Sequence, residues 1–257
     1  MPEQGRWAGR NPSKDLVRHD VWAKLEAEGV AIGPAWSMIP NFVGADIAAW
    51  RLGQLSQWKT ARTVKTNPDH AQIPVRIRAL YEGKTVYTPV PYLTREFPYL
   101  RLNPVRLEAE GISFELAATA QGFMKHGERI EFEEIEPLDF CVVGSVAVGR
   151  AGGRTGKGAG FADLETGIFR ELGIIDTETP MATTVHSLQL VPDAAVVIES
   201  HDTPLDHIAT ETELIETGNA MPKPAGVSWE KVRNDQFETI PFLARLRDRM
   251  IARGDSR

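Results

Sequence analysis

The sequence predicts an α/β protein with helices on both faces of a mostly parallel central sheet. Two observations support this fold class. Segments with strand-like alternation, such as 63–65 and 84–90, are interleaved with segments of helical periodicity. The apolar run 140–148 leads into a glycine-rich stretch, which is followed directly by a helical pattern over 164–172. Strands that alternate with helices in this way favour a parallel sheet.

In the N-terminal half, the first predicted element is a helix. Ser13 is a residue type that caps helix N-termini and Gly29 is one that ends helices, so this helix is expected to run from Ser13 to about Glu28. The next predicted elements are a helix over 45–58, a strand over 63–65, a helix over 75–81 and a strand over 84–90. The proline-rich segment 91–111 is expected to be irregular.

In the C-terminal half, a helix is predicted over 114–124 and the central strand begins at Phe140. The helix over 164–172 is followed by predicted strands over 182–191, 195–199 and 210–215. Prolines and a glycine indicate a turn-rich linker over 222–226. The segment 237–252 has the amphipathic pattern of a final helix.

Composition narrows the class of protein. The 257 residues fit one large domain with a substantial core. A net charge of −6 gives a nucleic-acid partner no electrostatic support, and no run is long and apolar enough to span a bilayer. Since the N-terminus also lacks an apolar signal core, a cytoplasmic location is expected. The one cysteine, Cys141, cannot form an internal disulfide and is expected in the core.

We divide the chain into three parts. Residues 1–12 are expected to form an N-terminal arm, and residues 13–217 the α/β domain. Residues 218–257 are expected to form a C-terminal extension whose final helix packs on the same domain. An oligomer is possible, and the sequence gives no preference among oligomeric states.

The most informative segment is the glycine-rich basic stretch 149–160. Glycines can turn backbone N–H groups toward a phosphate without obstruction by a Cβ, and the following helix adds a positive dipole end. Arg154 and Lys157 add full positive charge, and Asp163 is placed to hold Mg²⁺. The segment matches neither the P-loop pattern, which needs glycine where Ala151 stands, nor the dinucleotide-binding pattern. It therefore predicts a phosphate site of another type, with a flexible basic surface loop as the alternative.

The segment from Arg154 to Asp163, RTGKGAGFAD, resembles the R-L-G-x-G-x-G-Y-Y-D signature of the 5-formyltetrahydrofolate cyclo-ligases, also called methenyltetrahydrofolate synthetases. Three weaker resemblances occur in the family's order. Lys14 and Arg18 resemble the family's K-x-x-x-R pattern. Gly83-Lys84 with Pro89 resemble its G-K-x-x-x-x-P pattern, and His201-Asp202 with Asp206 resemble its H/N-D-x-x-V-D pattern. The resemblance extends over about residues 14–217 and implies a three-layer α/β sandwich around a mostly parallel sheet.

The resemblance implies an enzyme that uses ATP and Mg²⁺ to convert 5-formyltetrahydrofolate to 5,10-methenyltetrahydrofolate with release of ADP and phosphate. The nucleotide-binding residues that it implies are Lys14, Arg18, Gly153, Arg154, Thr155, Gly156, Lys157, Gly158, Ala159, Gly160 and Phe161. Arg154 and Lys157 are expected to act in catalysis, and Asp163 and Asp202 to hold Mg²⁺. Their spacing alone would place Lys14 and Arg18 on a solvent-exposed face of the first helix.

The substrate end departs from the family pattern. The family's two tyrosines are replaced by Phe161 and Ala162, and Asp69 stands where a glutamate is usual. We expect Asp69, Phe161 and His186 to contact substrate, and a hydrogen-bonded core histidine is an equal alternative for His186. The longer chain resembles the divergent branch of the family called methenyltetrahydrofolate synthase domain-containing. A reduced folate is the expected substrate. Two alternatives are an ATP-dependent kinase or ligase acting on another small molecule and a non-catalytic folate- or nucleotide-binding regulator.

Overall fold

A computed structural model describes residues 6–90 and 98–252 of the chain. Its strands are β1 (Thr63–Lys65), β2 (Thr85–Pro89), β3 (Tyr99–Leu102), β4 (Glu128–Ile130), β5 (Phe140–Val142), β6 (Ala147–Val148), β7 (Arg154–Thr155), β8 (Met181–Thr184), β9 (His207–Ala209) and β10 (Leu214–Glu216). Its helices are α1 (Pro12–Ala27), α2 (Ala45–Leu52), α3 (Ser56–Thr60), α4 (Ile73–Tyr81), α5 (Pro104–Ala109), α6 (Phe114–Ala117), α7 (Ala120–His126), α8 (Phe161–Glu171), α9 (Asn234–Thr239) and α10 (Pro241–Ala252).

The main sheet confirms the predicted α/β class with a mostly parallel centre. Among the described residues its strand order is β10-β9-β8-β5-β1-β2-β3-β4. The pairs from β9 through β8, β5 and β1 to β2 are parallel, whereas β10 at one edge and β3 and β4 at the other pair antiparallel. Strands β6 and β7 form a separate antiparallel ribbon. The carboxyl ends of the parallel strands thus meet at one edge, where open α/β sheets form ligand clefts.

Hydrophobic layers cover both faces of the sheet. Neighbouring residues along a strand point to opposite faces, so Val86 and Phe140 join one cluster while Tyr87 and Cys141 join the other. The first cluster includes side chains of α2, α3, α4 and α7, and the second includes side chains of α8 and α10. This arrangement is the expected three-layer sandwich. Burial raises the pKa of the Cys141 thiol to about 12, in agreement with its predicted core position.

Several predicted boundaries of the N-terminal half are wrong. Helix α1 is capped by Asn11, which accepts a hydrogen bond from the Lys14 N–H at 3.1 Å, because Pro12 occupies its first turn. The helix predicted over 45–58 is two helices that are separated at 53–55. The segment 91–111 was expected to be irregular, yet it contains β3 and α5; its residues 91–97 lie outside the described residues. The helix predicted over 114–124 is divided by Thr119, which caps α7.

Four predicted segments of the C-terminal half are also corrected. The apolar run 140–148 contributes β5 to the main sheet and β6 to the ribbon, because the chain turns away between them to pair with β7. The strand predicted over 182–191 ends at Thr184, and the His186 side chain then accepts from the Leu188 N–H at 3.1 Å in a 3-10 turn. The segment 195–199 is not in a strand. The alternating segment 210–215 is a turn at Thr210 followed by β10.

The C-terminal extension packs on the core. The helix predicted over 237–252 is divided at Pro241 into α9 and α10, since proline cannot continue the α9 hydrogen-bond ladder. Ile240, Phe242, Leu243 and Leu246 are buried in the same cluster as α8. The arm's first five residues and the last five residues of the extension lie outside the described ranges. Within those ranges, no helix combines the length and apolarity that a membrane span requires.

Candidate functional site

A cleft of about 540 Å³ opens at the carboxyl edge of the parallel strands. One wall consists of the N-terminal turns of α1, and another is the segment between β7 and α8, which we call the glycine loop (residues 156–160). The loop after β1 and the end of β2 form the opposite side. The residues of the glycine segment that line the cleft are Arg154, Gly156, Lys157, Gly158, Ala159, Gly160, Phe161, Ala162 and Asp163.

The glycine loop has a backbone that requires glycine at two positions. Gly158 has φ +98° and Gly160 has φ +74°, a region in which other residues are strained. A Cβ on Gly158 would also lie 2.9 Å from the Trp7 Cβ and 3.3 Å from the Arg18 Cζ. Gly160 is the N-cap of α8, and the cap makes no side-chain hydrogen bond. The first N–H groups of α8 therefore lack helical partners and lie beside the cleft.

Arg154 and Asp163 form a buried ion pair at the base of the loop. Both carboxylate oxygens accept from the Arg154 Nη2, at 2.7 and 2.8 Å, and Arg154 Nη1 donates to the Gly144 carbonyl at 2.9 Å. Burial raises the pKa of Asp163, but the Arg154 charge and the Thr203 N–H, 3.0 Å away, outweigh it and hold the pKa below its ordinary value. Burial likewise lowers the pKa of Arg154, and the Asp163 charge reverses the shift. Both groups are therefore ionised.

Lys14 and Arg18 lie on the buried side of α1 and face the cleft. Lys14 Nζ donates to Asp202 Oδ2. Arg18 Nε donates to the Gly156 carbonyl at 2.6 Å, and its Nη1 donates to Asp15 at 2.5 Å. Burial lowers the pKa of Arg18, and Asp15 offsets part of the shift. The alternative of a solvated helix face is therefore wrong, because both side chains are about nine-tenths buried or more.

The two predicted metal ligands lie on the same wall of the cleft. Asp163 accepts from the backbone N–H of Thr203, which directly follows Asp202. Two carboxylates suit Mg²⁺, which usually binds one or two protein carboxylates and completes its shell with water and substrate phosphates. The described part of the chain has no group of three or more His, Cys, Asp or Glu side chains arranged for a metal. Asp163 is ion-paired with Arg154 and Asp202 with Lys14, so a phosphate-bound Mg²⁺ would share these carboxylates with the two cations through their remaining lone pairs.

Asp69, Phe161 and Ala162 also line the cleft. Asp69 Oδ1 is 3.3 Å from Lys157 Nζ, so two predicted site residues from distant segments meet here. The fully buried Arg76 positions the loop that carries Asp69, since it donates to the Asn67 carbonyl at 2.5 Å and the Asp69 carbonyl at 3.2 Å. Burial lowers the pKa of Arg76 to about 10, and Asp69 partly opposes that shift.

Three predicted site residues are not among the residues that line the cleft. His186 caps a 3-10 turn, packs edge-on against Phe42 and has Nε2 3.6 Å from Glu211, so the structure favours the core alternative. Gly153 lies against aliphatic side chains on the far side of the ribbon. Thr155 is buried in β7. These three residues are thus separated from the rest of the predicted site.

The structure adds a carboxylate that the sequence interpretation missed. Glu165 lines the cleft while almost fully buried, and its oxygens accept from Lys65 Nζ at 3.0 Å and the Tyr99 hydroxyl at 2.9 Å. Lys65 also donates to Asn67 at 2.8 Å. Burial and the Glu165 charge raise the pKa of Tyr99 well above its usual range. No local pattern marks this pair, since β1 is Thr-Val-Lys and α8 carries four charged residues, and only the fold brings Lys65 and Glu165 together.

Comparisons with known proteins agree with the predicted family. The sequence profile of the 5-formyltetrahydrofolate cyclo-ligase family matches residues 10–211. The methenyltetrahydrofolate synthase domain-containing protein of Mus musculus is 37% identical over 239 residues, which make up 92% of this chain and 64% of that protein. Its Homo sapiens counterpart is 35% identical over 239 residues, or 92% of this chain and 62% of that protein. This chain therefore spans less than two thirds of the length of these relatives.

A solved structure shares the fold. The NMR structure of Aquifex aeolicus 5,10-methenyltetrahydrofolate synthetase matches with a TM-score of 0.50 at 19% identity, over 83% of this chain and 95% of that one. At this identity the likeness shows the architecture alone. The family profile, in contrast, matches most of the chain and includes the Arg154 to Asp163 segment at the base of the cleft. The chain belongs to the 5-formyltetrahydrofolate cyclo-ligase family, and the predicted membership of a ligase family is confirmed.

Proposed function

We propose that the cleft binds ATP along the glycine loop and a reduced folate at the Asp69 end, and that it converts 5-formyltetrahydrofolate to 5,10-methenyltetrahydrofolate. ADP and phosphate are the other products. One observation carries the proposal: Lys14, Arg18 and Arg154, from two distant segments, converge with the glycine loop on a single cleft. Cations around a glycine-rich loop at a helix N-terminus are suited to a triphosphate.

The proposed reaction needs charge neutralisation more than a protein nucleophile. The formyl oxygen attacks the γ-phosphorus, and the bond to the ADP oxygen breaks. The folate N10 then attacks the activated formyl carbon and loses its proton, and the formyl oxygen leaves with phosphate. Arg154 is fixed by the Asp163 carboxylate and the Gly144 carbonyl, so it can stabilise charge without reorganising.

Lys157 is placed to act at the junction of the two substrates. Its ammonium group belongs to the glycine loop but contacts Asp69 at the folate end. A Lys157 that moves from Asp69 to the transferring phosphoryl group would neutralise charge there. Asp163 and Asp202 would hold Mg²⁺, which when bound neutralises phosphate charge. In that state Lys14 and Arg154 remain the neighbouring cations.

A second candidate function is an ATP-dependent ligase or kinase that acts on a different small molecule. The observation that favours it is the chemistry of the folate end. Ala162 is smaller than the tyrosine that the family usually has there. Asp69 forms an ion pair with Lys157, and the buried Glu165 adds a second carboxylate to the wall. A substrate with several N–H donors would suit such a wall.

Turnover of 5-formyltetrahydrofolate tests the proposal. Incubation with Mg²⁺–ATP should produce the methenyl absorbance, and Arg154→Ala should lower turnover by roughly 100-fold or more, as expected for the loss of a charge that stabilises a transition state. Arg150→Ala is the matched control, since Arg150 is an exposed arginine of the same segment whose partner is Glu213. ATP hydrolysis that responds only to another metabolite would favour the second candidate. Bound ATP without turnover on any substrate would contradict both.

A further inference from the structure

The C-terminal extension contributes two cations to the cleft. Lys231 and Arg233 line it, although the family profile ends at residue 211. Lys231 ends the 3-10 turn Trp229–Lys231 and Arg233 is the N-cap of α9, within a segment (residues 224–236) that we call the connection. A smaller cavity of about 70 Å³ continues from the cleft under this connection. The residues shared by the two cavities are Gly160, Asp163, His201, Lys231 and Arg233.

The connection is held in place against α8. The Glu171 carboxylate accepts from the Val227 N–H at 3.0 Å, and Arg170 donates to the Pro224 carbonyl at 2.7 Å. The Gln236 side chain, itself buried, accepts from the Arg233 N–H at 3.1 Å. The backbone that carries the two cations is thus tied to the helix whose N-terminus borders the cleft.

Arg233 reaches the glycine loop and keeps donors unused. Its Nη2 donates to the Ala159 carbonyl at 3.2 Å and its Nε to Asp235 at 2.9 Å. Its Nη1 has no hydrogen-bond partner among the described residues and would lie 3.3 Å from a Cβ on Gly160. These N–H groups of Arg233 lie beside the N-cap of α8, where Gly160 makes no side-chain hydrogen bond.

The positive charge at this place is poorly compensated. Arg10, from the arm, donates to the Gly158 carbonyl at 3.3 Å and lies 3.6 Å from the Asp235 that also pairs with Arg233. Burial and then the Arg233 charge lower the pKa of Arg10, while Asp235, which both guanidinium groups share, raises it. The ion pair of Lys231 is a 3.8 Å contact to Glu199. An anion between these cations would compensate their charge.

We infer that Lys231 and Arg233 complete the phosphate-binding part of the cleft, so that the C-terminal extension is a component of the nucleotide site. The anion is a phosphate group of the nucleotide, because Arg233 contacts residues 159–160 of the proposed triphosphate loop and Lys231 lines the same two cavities as Gly160. The inference rests on the proposed nucleotide site and deepens it. Without the extension, the loop would keep Lys14, Arg18 and Arg154 but lose its cations on the α9 side.

Affinity for a series of nucleotides tests the inference without turnover. The series is adenosine, AMP, ADP and a non-hydrolysable ATP analogue with Mg²⁺, measured by calorimetry on the double variant Lys231→Ala/Arg233→Ala. We expect roughly 10- to 100-fold weaker binding of the ATP analogue, the range for lost charge-assisted hydrogen bonds, and unchanged binding of adenosine. Lys231→Ala/Arg233→Lys should bind the ATP analogue more tightly than Lys231→Ala/Arg233→Ala, because lysine keeps the positive charge at position 233.

The matched control is Arg245→Ala/Arg249→Ala. It also removes two exposed cations of the extension, each paired with one carboxylate, and both lie on α10 away from the cleft. An ATP affinity of the Lys231/Arg233 variant equal to that of the control would overturn the inference and leave the proposed function standing. An equal loss for adenosine and the ATP analogue would also overturn it. If the unaltered protein binds no phosphorylated member of the series, the proposed function fails with it.

Discussion

Removal of Arg154 alone should destabilise the protein more than removal of Arg154 together with its partner. The Arg154 side chain is 4% exposed and donates twice to Asp163. In Arg154→Ala, the Asp163 carboxylate stays in a buried place and keeps the Thr203 N–H as its near donor. Loss of one partner from a buried pair costs about 3–5 kcal/mol, a large share of the roughly 5–15 kcal/mol by which domains are stable.

A double-mutant cycle measures this effect. In Arg154→Ala/Asp163→Ala no buried charge is left without its partner, so the double variant should unfold at a higher urea concentration than Arg154→Ala. The coupling free energy between the two positions should be about 2 kcal/mol or more. The matched control is again Arg150→Ala, whose exposed pair with Glu213 should leave the midpoint unchanged.

The loss of stability caused by Arg154→Ala should depend on pH, and its direction follows from the pKa of Asp163. Arg154 holds the pKa of Asp163 below its ordinary value of 3.8, so the pair contributes stability above about pH 4 that is lost as the pH falls further. In Arg154→Ala burial remains and the compensating charge is gone, so the pKa of Asp163 should rise. The penalty of the variant should therefore shrink between pH 7 and pH 4.5. Additive free energies of unfolding together with a pH-independent penalty would refute the reasoning.

Three further predictions concern folding and reactivity. Because burial raises the pKa of Cys141 to about 12, a thiol reagent at pH 8 should label Cys141 in urea and leave the native protein unmodified; rapid native labelling would contradict its burial. Gly122→Ala should lower the free energy of unfolding by about 2 kcal/mol or more, because the new Cβ would overlap the backbone of α6. An unchanged urea midpoint of unfolding would contradict the close approach of α6 and α7. Lys65→Ala should lower the free energy of unfolding by about 3–5 kcal/mol, because Glu165 loses its charge partner. Lys65→Met/Glu165→Leu should recover most of that free energy. An equal loss of stability in the two variants would exclude the ion pair as the cause.

The sequence was sufficient for the fold class and for the local part of the site. The glycine loop, Arg154 and Asp163 are all within one strand-loop-helix unit, so their spacing determines how they meet. The position of Lys14 and Arg18 came from the family resemblance. Spacing alone favoured a solvated face, because a helix pattern does not show which surface faces another segment.

The rest of the site depends on contacts that no local pattern contains. Lys65 and Glu165 are 100 residues apart in the chain, and Arg233 meets Ala159 across 74 residues. Local rules also failed where two options were equivalent. Asn11 and Ser13 are both good helix caps, and Pro12 between them decides for Asn11. The run 140–148 is apolar apart from Gly144-Ser145, and its hydrophobicity alone could not show that it divides there between two sheets.

A crystal structure of this chain with Mg²⁺ and a non-hydrolysable ATP analogue would show whether the glycine loop binds the triphosphate. We expect the triphosphate oxygens to accept hydrogen bonds from backbone N–H groups of the glycine loop, with Lys14, Arg18 and Arg154 around them. A nucleotide bound at another surface, with the glycine loop turned toward solvent, would show that the proposed site is wrong.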